Sequence, residues 1–173
     1  MDYIIFLRGI NVSGQKLIRM EDLKVMLNDV GFHEPKTYIQ SGNIWLKSDL
    51  SDAGSVASVI YSAILERFGF DVPTLALSHD SIYGIIDKNP FLHEGVDEKR
   101  LYYTLLSEFP DDTRKDALLQ LESENDELTI DGKTVYIRVK DKYGDSRLSN
   151  NFVEKTLKVK ATTRNHATMM KMA

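Results

Sequence analysis

The sequence predicts an α+β fold, and three observations carry that expectation. Short β-rich runs alternate with longer segments whose apolar residues recur every three to four positions. Glycine and asparagine cluster at the joints, above all in Arg8-Gly9-Ile10-Asn11 and Gln40-Ser41-Gly42-Asn43. Late in the chain, Asp131-Gly132 stands between two β-rich runs, as the positive φ values of a tight hairpin require.

The first half reads element by element. Residues 3–8 are mostly apolar with little alternation, the pattern of a strand buried on both faces, and a polar loop follows from Gly9 to Arg19. From Met20 to Val30 the stripe Met20, Leu23, Met26/Leu27, Val30 marks a helix, with Glu21 and Asp22 in its first turn and Gly31 beyond its end. After Pro35, Thr37–Gln40 and Ile44–Lys47 form a hairpin around Ser41-Gly42-Asn43. Residues 52–68 place Val56, Ile60, Ile64 and Phe68 on one stripe before Gly69, and Val72–Leu77 returns to strand character. The order β-α-β-β-α-β is ferredoxin-like, and it assigns residues 1–78 to one subdomain.

The second half predicts a helix near 80–88, a loop through Asn89-Pro90-Phe91 and a strand at 100–106. A helix at 112–121, strands at 127–130 and 134–139, and helices at 149–158 and 165–172 complete it. Residues 79–173 thus form a second, partly similar α+β half, without any residue-level repeat visible between the two. No Gly/Ser/Pro-rich linker separates them, so the halves are expected to pack as one body.

Composition narrows the chemistry. With 42% hydrophobic and 28% charged residues the chain belongs with globular proteins. It has no cysteine, which excludes disulfides, thiolate metal sites and cysteine nucleophiles. No basic leader opens the sequence and no apolar run approaches the ~20 residues of a membrane span, so a cytoplasmic protein is expected. The net charge of −4 is uneven: +1 over residues 1–47, −11 over 48–130 and +6 over 131–173. His33, His79, His93 and His166 share no metal-ligand spacing, and no metal or cofactor is read from the sequence. Ser41 lacks an adjacent base, leaving open whether the protein is an enzyme. Gly9 to Lys16 departs from the nucleotide-loop pattern, because Gln15 displaces the lysine and Leu17-Ile18-Arg19 delay the helix.

The stretch Phe6-Leu7-Arg8-Gly9-Ile10-Asn11-Val12-Ser13-Gly14 resembles the opening signature of the bacterial family called domain of unknown function 1697. Thr37–Asn43, Asn89-Pro90-Phe91 and Thr162-Thr163-Arg164-Asn165 are similar to its later signatures, in the same order. The resemblance implies a cytoplasmic bacterial protein of α+β fold and brings no reaction and no catalytic residue. Ser13 departs from the family's glycine there, and a serine disfavours positive φ.

A sheet order of 4-1-3-2 would bring the two polar loops to one end. Their backbone N–H groups, with Arg8, Asn11, Lys16, Gln40, Ser41 and Asn43, suit a small phosphorylated or carboxylated ligand, which Arg164 could also reach. On the bland reading Asn11 and Asn43 only satisfy neighbouring backbone groups. The alternative function is a nucleic-acid or protein interaction module using the basic C-terminal region; strand aromatics such as Tyr102, Tyr103 and Tyr136 could stack bases, but the RNA-binding strand signature is absent.

Overall fold

The structure, a computed structural model, describes residues 1–121 and 126–173. It divides into two compact units, Met1–Ile82 with Met172 and Tyr83–Lys171 with Ala173.

In the first unit, β1 (Asp2–Leu7), α1 (Met20–Asp29), β2 (His33–Tyr38), β3 (Asn43–Lys47), α2 (Ala53–Phe68) and β4 (Thr74–Ser78) follow in the expected order. They build an antiparallel sheet β2-β3-β1-β4, with β1 in the interior. Five of the six β1 residues are buried, as its apolar run requires. One sheet face, through Tyr3, Ile5, Leu7, Ile44 and Leu46, packs on Leu23 and Leu27 of α1 and on Val56, Ile60 and Ile64 of α2. Asp52 caps α2 by accepting from Ser55 N at 2.9 Å, and Gly69 ends it in the left-handed conformation. β2 starts four residues before the expected Thr37. It is an edge strand whose register shifts between His33 and Lys36, so it tolerates Pro35 and a left-handed Glu34 (φ 50).

The second unit begins within α3 (His79–Asp87) and continues through β5 (Leu101–Leu106), α4 (Asp112–Leu119), β6 (Glu127–Asp131), β7 (Thr134–Arg138), α5 (Asn150–Leu157), β8 (Ala161–Asn165) and α6 (His166–Met172). Its sheet order is β6-β7-β5-β8, the counterpart of the first. Leu106, Ile130, Val135 and Ile137 pack on Leu118, Val153 and Leu157. Strand β8 fills the segment between the helices expected at 149–158 and 165–172, to which the sequence assigned no element. The strand pairs with β5, while Asn165 caps α6 by accepting from Thr168 N at 2.8 Å.

The duplication extends to the residues. Leu7 N donates to Gly42 O at 2.8 Å and Leu106 N to Lys133 O at 2.8 Å; Arg8 N donates to Pro73 O at 3.0 Å and Ser107 N to Lys160 O at 2.8 Å. Side-chain identity hides the repeat because only backbone positions and burial are kept.

Candidate functional site

The predicted end of the first sheet exists. β1 leaves the sheet at Leu7, β3 enters at Asn43, and Phe6 stands opposite Asn43 in the antiparallel pair. Asn11 ties the two loops together: its Nδ2 donates to Gln40 O at 2.9 Å and to Ile18 O at 2.9 Å, and its Oδ1 accepts from Ile18 N at 2.8 Å. Asn43 is fully buried and donates from Nδ2 to Tyr38 O at 3.1 Å and to Ser41 Oγ at 2.9 Å. Both asparagines therefore work as braces, donating to backbone carbonyls of the loops they join.

The loop backbone is unusual. Gly9, Asn11, Ser13, Gly14 and Lys16 all have positive φ. Ser13 (φ 51) corrects the expectation that a serine would avoid this region. It and Gly14 (φ 72) occupy the centre of a turn closed by Gln15 N donating to Val12 O at 2.9 Å, and the φ signs are those of a type I′ turn. Across the rim Ile39, a β-branched and exposed residue, is also left-handed (φ 51). Alternating left-handed residues turn successive backbone N–H groups into the concavities that hold anions.

Charge follows the same line. Arg8, Lys16 and Arg19 fall within the loop, and no Asp or Glu occurs between Arg8 and Met20. The Lys16 ammonium donates to the Asp71 carbonyl, which fixes one of its three N–H groups. Asn11, Arg19 and Gln40, with the acid Glu21, line a cleft of about 400 Å³ at the start of α1. Arg19 occupies the N-cap of that helix without capping it by its side chain, and Glu21 in the first turn is drawn to Lys24 at 2.8 Å.

Arg164 belongs to the second unit, on β8 opposite Tyr103. Its Nη1 donates to Thr162 Oγ1 at 2.8 Å and to Thr163 O at 3.0 Å. Burial pushes its pKa down to about 10, which leaves it a cation at neutral pH.

The sequence reading missed one buried polar pair. Tyr103 Oη and His166 Nδ1 lie 2.8 Å apart, and His166 Nε2 is 3.9 Å from Glu98 Oε2. Burial pushes the Tyr103 phenol up and that of Tyr136, ring-to-edge with it at 5.7 Å, up to about 12. The missing signal was β8: only with that strand placed does His166 come to the end of β5. Among the described residues no group of three His, Asp or Glu could hold a metal ion, and no helix is long and apolar enough to cross a membrane.

Across 99% of this chain and 96% of the other, the fold is similar to that of SP0830, a conserved bacterial protein from Streptococcus pneumoniae, with a TM-score of 0.77 at 20% identity. No curated protein matches the chain. The two braced loops and the Asn89-Pro90-Phe91 segment all lie within residues 1–136, which match the family described as Protein of unknown function (DUF1697), and the chain belongs to that family.

Proposed function

We infer that the first unit binds a small anionic ligand, a phosphorylated or carboxylated metabolite, at the rim formed by Arg8–Gly14 and Gln40–Asn43. One observation carries this reading: two loops about 30 residues apart are braced into one edge, and the first of them, from Arg8 to Arg19, carries three cations and no acid on a run of left-handed backbone. Arg8 supplies a fork for an anion's oxygens, Lys16 a point charge, and Ser41 and Gln40 neutral partners. Asn11 and Asn43 shape the edge and leave recognition to their neighbours.

The test is a thermal-shift screen of the full chain with nucleotides, sugar phosphates and simple anions. A ligand at a hundred times its dissociation constant stabilises by about 2.7 kcal/mol. The shift should fall in Arg8→Ala and Lys16→Gln, whose side chains lie outside the core; a shift that survives both refutes the reading.

A second reading rests on Lys155, Lys158 and Lys160, which line one depression of about 440 Å³ in the second unit. It predicts salt-dependent oligonucleotide binding that disappears when the three lysines are replaced by glutamine. Glu108 and Glu154 line the same depression, so the first reading is preferred.

A further inference from the structure

The second unit contains a cleft of about 520 Å³ at the opposite end of its sheet from the Asp131–Thr134 turn, where β5 and β6 begin and β7 ends. Arg100, Arg138, Lys140 and His93 line it, with the acids Asp97 and Glu127. The duplication supplies an internal comparison. In the first unit the matching position, by strand register, is a cleft of about 340 Å³ lined by Asp2, Glu34, Lys36 and Lys47.

There Lys47 pairs with Glu34 at 2.9 Å; here Arg138 pairs with Glu127. Each cleft has one histidine, His79 in the first and His93 in the second; beyond that, the first balances two lysines against two acids, whereas the second sets three cations against two acids. It also replaces ammonium groups by guanidinium groups, which match the oxygens of a phosphoryl group in pairs.

The Asn89-Pro90-Phe91 motif serves this cleft. Asn89 Oδ1 accepts from Phe91 N at 3.0 Å, an Asx turn that fixes the start of the loop. The Arg138 guanidinium carbon then lies 5.7 Å from the Phe91 ring centre. A guanidinium carries five N–H donors, and Glu127 engages Nη2. Arg138 is thus pinned between an aromatic ring and a carboxylate beside two further cations.

The geometry points to a second anion site, independent of the rim, in which Arg138, Arg100 and Lys140 bind a phosphoryl-bearing small molecule. Its test uses pyrophosphate as the probe and amide chemical-shift mapping of the full chain as the readout. Pyrophosphate at millimolar concentration should move the Gly95, Val96 and Lys140 amides. Arg138→Lys keeps the charge and loses the fork, so it should weaken that response about tenfold. The exposed double variant Arg100→Gln/Lys140→Gln should abolish it, and Arg8→Ala should leave it unchanged, which separates this site from the rim. Unmoved amides in the unsubstituted protein, or a response unaltered in Arg138→Lys, would overturn the assignment; loss of the response in Arg8→Ala would assign it to the rim instead.

Discussion

Replacing Gly42 by alanine probes the join between the two loops, and its cost can be worked from the structure. Gly42 has φ +78, and a Cβ built there would stand 2.6 Å from Leu7 Cβ and 3.0 Å from both Leu7 Cγ and Ile10 Cδ1. Leu7 cannot swing aside, because its own N–H donates to Gly42 O at 2.8 Å and its side chain is fully buried. The left-handed conformation costs an alanine ~1–2 kcal/mol, and forcing a methyl into a filled site adds ~1–3 kcal/mol. The expected loss is therefore about 2–5 kcal/mol. Gly14→Ala is the control: φ is +72 there, with nothing within 4 Å of the new Cβ, so only the conformational part applies. Urea unfolding followed through Trp45, the chain's single tryptophan, reads both in the first unit. Equal losses in the two variants, within ~0.5 kcal/mol, would refute the close approach on which the rim's shape depends.

Asn43→Ala should destabilise the first unit by about 1–3 kcal/mol, since it removes a fully buried amide that donates to the Tyr38 carbonyl and the Ser41 hydroxyl, and the same unfolding experiment reports it. Asn165→Ala removes the cap of α6 and should cost about 1 kcal/mol, seen as a lower unfolding midpoint. Tyr136 gives a pH signature. Burial raises its pKa from 10.0 to about 12, so the folded chain keeps a proton that the unfolded chain loses. Its contribution is complete below pH 10 and declines as pH rises toward 12; denaturation at alkaline pH should show wild type losing stability faster than Tyr136→Phe across that window.

Much of the fold was legible because apolar periodicity and glycine punctuation agree. The stripe of α1, the Gly69 end of α2, and Asp131-Gly132 each marked an element correctly. The strands that escaped are edge strands. β8 is Ala-Thr-Thr-Arg-Asn, with no apolar alternation to announce it, and the start of β2 carries Pro35 and a bulge. The second half's partial similarity to the first was legible in the order of elements, but no residue-level repeat was, because the match is kept in backbone hydrogen bonds. At the rim, the meeting of the two loops followed from topology. The roles of Asn11 and Asn43 needed coordinates, since an amide on a polar loop looks the same in sequence whether it faces a ligand or a carbonyl. The cluster of left-handed residues was equally hidden, because Ser13, Lys16 and Ile39 are not residues that advertise positive φ.

The central claim concerns the rim, and amide chemical-shift mapping of the full chain with inorganic phosphate and then the best anion of the screen tests it most directly. The account predicts that the Gly9, Gly14 and Gly42 amides move together and saturate, and that Arg8→Ala removes the response while leaving the fold intact. Saturable binding that leaves these three amides unmoved, or a rim response unchanged in Arg8→Ala, would contradict it.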